Sequence, residues 1–95
     1  MESPTDAELM ARARRGEQEA FRTIYDRHHQ AVYRFCARMT GDPEEAADLM
    51  QETFLRAFAA AGRFEARARV TTWLFTIARN LCLNHTGRAD RRNPA

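Results

Sequence analysis

The sequence predicts an all-α domain, a compact bundle of four helices, and three observations carry that prediction. Apolar residues recur at spacings of three and four almost throughout, strand signals are nearly missing, and the four glycines and three prolines fall at the ends of periodic stretches. A chain of 95 residues buries one modest core, so a single small domain is expected.

The first helix is predicted over about 6–15. Thr5, with Glu8 three residues later, forms a capping box, Leu9, Met10 and Ala13 face inward, and Gly16 ends the helix. The second and longest, about 17–40, carries Phe21, Ile24, Tyr25, His28, Val32, Phe35 and Met39 on one stripe and stops at Gly41. A short loop then implies antiparallel packing against the third helix.

The third helix is predicted over about 43–61. Asp42 caps it, Pro43 occupies the first position, where only an orphan N–H is lost, Glu45 completes a second capping box, and Gly62 is the stop. Ala46, Leu49, Met50, Thr53, Phe54, Ala57, Phe58 and Ala61 make its core stripe. Steps of 100° gather Asp48, Gln51, Glu52, Leu55 and Ala59 on the opposite side. Two readings of that side are open: a scattered surface leucine, which is ordinary, or a small docking patch with an apolar centre and an acidic rim.

The segment Arg63 to Val70, RFEARARV, has no steady period and reads as a loop with three arginines, Arg63, Arg67 and Arg69, and one aromatic, Phe64. The fourth helix opens at Thr71 or Thr72 and runs to about Thr86, with Gly87 as its stop. Leu74, Ile77, Ala78, Leu81 and His85 are expected inside, while Thr72, Thr76, Arg79, Asn80 and Leu83 point outward. Trp73 lies at the border of the two faces, where core packing and ligand contact are both open, and Phe64 shares that ambiguity. The tail from Arg88 is expected to be mobile.

Charge is polarised along the chain. Residues 1–55 hold seven arginines against eleven acids, 7 − 11 = −4, and residues 56–95 hold eight against two, 8 − 2 = +6. All fifteen basic residues are arginine. An arginine-rich half is the footprint of a nucleic-acid partner or, more plainly, a solvated surface. No apolar run approaches membrane-spanning length, and no basic-then-apolar leader opens the chain, so a cytoplasmic location without membrane insertion is expected. Cys36 and Cys82 are expected as reduced, buried side chains. His28, His29, His85 and the cysteines show no metal-ligand spacing, and no nucleophile pairs with a base, so neither metal, cofactor nor enzymatic activity is expected.

The run DLMQETFLRAF, followed by RF, then TTWLFTIARN and a basic tail, resembles region 2 of the extracytoplasmic-function (ECF) sigma factors. The upstream GEQEAFRTIYDRHHQAVYRF fits the first conserved segment of the same family, and the resemblance covers about residues 6–92. It implies a four-helix domain that binds the core of bacterial RNA polymerase and recognises and melts the minus-ten promoter element as single-stranded DNA. The coiled coil of the polymerase β′ subunit would dock on the third helix. Asp48, Gln51 and Glu52 would be its polar contacts, Leu49 is assigned to packing, and the helical geometry adds Leu55.

Promoter reading is implied for the loop and the fourth helix, giving Arg63, Phe64, Arg67, Arg69, Thr72, Trp73, Thr76, Arg79 and Asn80 as strand-binding candidates. An anti-sigma factor is a further implied partner, and a protein-binding module with no DNA reading is the alternative. By the same resemblance, residues 5–88 are expected to form the region 2 domain and 89–95 to begin an interdomain linker, the upstream-promoter-reading domain lying outside this sequence.

Overall fold

The computed structural model describes residues 3–65 and 68–92, with the side chains of the last helix described as far as Thr86. It is a bundle of four helices: α1 (Asp6–Arg14), α2 (Gln18–Thr40), α3 (Pro43–Ala59) and α4 (Val70–Arg92), with one 3-10 turn, Ala61–Arg63, after α3. There is no strand among the described residues, and no helix there is long and apolar enough to cross a membrane.

Each junction has a local cause. The Thr5 hydroxyl accepts the Glu8 N–H at 3.1 Å, and the Glu8 carboxylate accepts the Thr5 N–H at 3.4 Å, closing the expected capping box. Gly16 (φ 96°) and Gly41 (φ 70°) take the left-handed conformation that turns the chain after α1 and α2, a conformation that costs glycine nothing. Asp6 fastens α1 to the middle of α2: Arg27 Nη1 donates to Asp6 Oδ1 at 3.1 Å, and His28 Nε2 lies 2.8 Å from Asp6 Oδ2.

Phe21 meets Phe58 while Tyr25 meets Phe54, in edge-on contacts of 5.3 and 4.9 Å, so α2 and α3 run antiparallel as expected. Asp42 Oδ1 caps α3 by accepting the N–H groups of Glu44 and Glu45. The reciprocal half of the second capping box does not form. The Asp42 N–H donates to the Thr40 hydroxyl at 3.2 Å, and Glu45 reaches toward α4 instead, 3.6 Å from His85 Nε2.

Two glycine stops are corrected by the structure. α3 ends at Ala59, and the chain tightens into the 3-10 turn that contains Gly62, whose φ is not in the left-handed region. α4 begins at Val70 and continues through Gly87 to Arg92. A glycine inside a helix costs only about 1 kcal/mol against alanine, and the residues after it, Arg88-Ala89-Asp90-Arg91-Arg92, include good helix formers. The end expected at Thr86, and the mobile tail expected from Arg88, therefore give way to helix as far as Arg92.

The core stripe of α4 advances in steps of four: Val70, Leu74, Ala78 and Cys82 are all buried. Ile77, Leu81 and His85, expected inside, sit half-buried on its flank. Small residues at 78 and 82 let α4 come close to α2, which brings Cys82 against Cys36. Both thiols are free and fully buried. Burial, reinforced by the neighbouring Cys82, pushes Cys36 up to about 12 from an ordinary 9.0, and burial raises Cys82 as well, against an opposing hydrogen bond from Cys36. Thiols in that state are poor nucleophiles.

Candidate functional site

The docking candidates lie where the wheel puts them. Met50, Thr53, Phe54 and Ala57 are buried, so α3 is held with its other side facing solvent. On that side Leu55 is 66% exposed, Asp48 and Gln51 are exposed, and Glu52 is partly exposed. Leu49 is half-buried and packs on the core, in line with its assignment to packing. Glu52 Oε1 accepts a 3.0 Å hydrogen bond from Arg56 Nε one turn on, so one acid of the rim already has a partner.

Leu55 is not isolated. It lines an open groove between α2 and α3 with Phe21, Tyr25, Phe54 and Phe58. Phe58 is a correction: expected in the core stripe, it is 49% exposed, because it stands near the start of α2, where the Phe21 ring packs against it at 5.3 Å. The apolar centre is therefore wider than one leucine, and α2 supplies its second wall. The stripe spacing alone could not reveal this, since Phe58 sits on a border that only the neighbouring helix decides.

The strand-binding candidates separate onto two sides of α4. Arg63, Trp73 and Asn80 converge in one groove, joined by Arg56, Ile77 and Asn84. Trp73 fulfils both open readings. Its ring packs on Phe64 with centroids 4.9 Å apart, and it also lines the groove while half-buried. Phe64 is only 5% exposed, so it braces Trp73 and offers no surface of its own.

Thr72, Thr76 and Arg79 instead line a second groove facing α2. Arg69 is exposed, and its carbonyl accepts the Trp73 N–H at 3.1 Å, capping α4. Arg67 lies outside the described residues. Sequence reasoning missed Arg56 because it belongs to α3. It also missed Asn84, although that residue falls four after Asn80, a spacing that puts both amides on one face.

None of the described residues lining either groove is acidic. Chemically, the first groove offers guanidinium groups, an indole face with restricted freedom and two side-chain amides: donors for phosphate, a stacking plane, and edge-reading groups. Among the described residues no group of His, Cys, Asp or Glu is arranged to hold a metal ion.

Comparison with known proteins agrees with this geometry. The family model for sigma-70 region 2 matches residues 24–92. The chain is 38% identical over 71 residues to the ECF RNA polymerase sigma factor SigW of Bacillus subtilis, covering 75% of this chain and 38% of that protein. It is 44% identical over 79 residues to the ECF sigma factor BldN of Streptomyces coelicolor, covering 82% of this chain and 30% of that one. An NMR structure of an engineered region 2 of sigmaE in complex with GTAAAA superposes with a TM-score of 0.87 at 30% identity, over 97% of this chain and 96% of that one.

The chain belongs to the sigma-70 region 2 family and, within it, is a region 2 domain of the ECF sigma factors. It spans less than half the length of the curated relatives it matches.

Proposed function

We propose that this domain docks on the core of bacterial RNA polymerase and recognises the minus-ten promoter element as an unpaired strand, directing transcription initiation. Asp48, Gln51, Glu52 and Leu55 meet the coiled coil of the β′ subunit. Arg63, Trp73 and Asn80 seat the strand, and Arg67 and Arg69 add positive charge from the loop. Melting follows from the same contacts: a base held in the groove is withdrawn from pairing, so binding stabilises the open form in proportion to its preference for it.

The observation that carries this reading is the convergence of Arg56, Arg63, Trp73, Asn80 and Asn84 in one groove without a lining acid. Arginines there meet phosphates, the indole stacks on a base, and an amide reads its edge. Trp73 is pre-set by Phe64, so little freedom is lost on binding.

The test is a titration of the 95-residue chain with labelled six-base single strands, GTAAAA among them, at low and high salt. Sequence-dependent binding that weakens steeply with salt is expected. Binding of no strand, or of all equally, would leave only the protein-binding alternative, in which these surfaces serve an anti-sigma factor.

A further inference from the structure

The groove on the α2 side of α4 has no role in the function proposed above. Its lining is Phe35 from α2 and Thr71, Thr72, Phe75, Thr76 and Arg79 from α4. Phe35 and Phe75 form an edge-to-face pair, centroids 5.3 Å apart at 79°, and both rings are only half-buried. Three hydroxyls and one guanidinium stand around that aromatic floor, and none of the lining residues is acidic. Thr76 donates its hydroxyl to the Thr72 carbonyl at 2.8 Å, which leaves its oxygen outward as an acceptor.

Position matters as much as chemistry. Trp73 and Asn80, seven residues apart, lie within about 20° of each other around α4, while Thr72, Thr76 and Arg79 lie roughly 60–120° to one side. The two grooves therefore flank a single outward ridge, and a strand seated in the first must cross that ridge to reach the second.

The geometry points to a second nucleobase site on this domain: the Phe35–Phe75 groove takes one unpaired base of the same strand, stacked on the aromatic pair, with Thr76 at its edge and Arg79 on a neighbouring phosphate. This rests on the strand reading of the Trp73 groove. The occupant is a nucleotide because the floor is aromatic, the rim is cationic and acid-free, and the groove adjoins the strand surface. A helix is about 10–12 Å across, and successive bases of a duplex strand rise about 3.4 Å, so the two seated bases are separated by about three nucleotides.

The experiment is an abasic scan. A fluorescein-labelled twelve-base strand with GTAAAA at its centre is made with one abasic site at each position in turn, and anisotropy is read at low salt. Two sensitive positions about three apart are expected, each weakening binding about five- to tenfold, because stacking tolerates any base and its loss is felt wherever a base is seated. Phe75→Leu, with folding verified by far-UV circular dichroism, removes the sensitivity at one position and spares the other; Thr76→Val lessens it at the same position. Trp73→Leu acts on the other position alone.

A single sensitive position governed by Trp73 overturns the second site and leaves the first standing. Sensitivity nowhere overturns both. Simultaneous loss of both positions in Phe75→Leu shows one shared site and likewise defeats the inference.

Discussion

The outward faces of α3 and α4 differ in almost every respect that bears on recognition. The α3 face is a protruding leucine beside a half-exposed phenylalanine, rimmed by Asp48, Gln51 and Glu52. The α4 face is concave on both flanks, its lining holds arginines and no acids, and its aromatic surface is braced from behind. An apolar knob with an acidic rim fits a protein partner, which can supply an apolar hollow and a few cations. A cationic groove with a fixed ring fits a flexible polyanion that carries its own flat rings. The difference teaches that one small bundle can address two chemically opposite partners because each helix buries only one stripe.

The largest expected effect tests the first face. Leu55→Asp puts a charge at the centre of the docking patch and should weaken binding to polymerase core at least a hundredfold in a pull-down, while the melting temperature moves by only a few degrees, since a residue so exposed contributes little to the core. Unchanged capture of the polymerase would remove α3 from the docking model.

Asn80→Ala tests the second face. Discrimination between matched and scrambled strands should fall about tenfold, the order expected for losing a base-edge contact, with core binding untouched. If both activities fall together, the two faces are not independent.

The comparison also assumes a common scaffold between the faces, which the Cys36–Cys82 contact probes. A thiol raised in the folded state keeps its proton there, whereas the unfolded chain loses it near 9.0. Stability thus falls as pH rises above about 9, by up to about 1.4 kcal/mol per pH unit for one such thiol, and the fall ends near the folded value of about 12. Cys36→Ala should flatten that decline in denaturant melts at pH 8 to 10.5 without altering either binding face. An equally steep decline in the variant would assign it to other groups.

Much of this was legible in the sequence. Period and caps gave four helices, and the wheel of α3 separated Leu55 from Met50 and Phe54 before any coordinates. What stayed hidden depends on neighbours rather than on spacing. Phe58 and Leu55 are three residues apart, and only the place where α2 begins decides that both are exposed. Glu45 has a capping role available in its own turn, yet His85 on another helix draws it away. Gly62 and Gly87 carry the same local signal as Gly16 and Gly41, and the conformation each adopts is set by the chain beyond it. The second groove escaped notice because Phe35 and Phe75 lie far apart in sequence and each fits a core stripe.

Arg56 ties the two territories together. Its Nε is bonded to Glu52, a member of the acidic rim, and the same side chain forms part of the wall beside Trp73. A polymerase cation that takes over Glu52 would release this guanidinium toward the nucleic acid, so occupancy of one flank would favour occupancy of the other, and by linkage the reverse. Because an exposed pair of this kind is worth at most about 1 kcal/mol, the cooperation is slight. Glu52→Gln should reproduce it without polymerase, tightening strand affinity by no more than about fivefold, and a weaker affinity in that variant would show the tether to be ornamental.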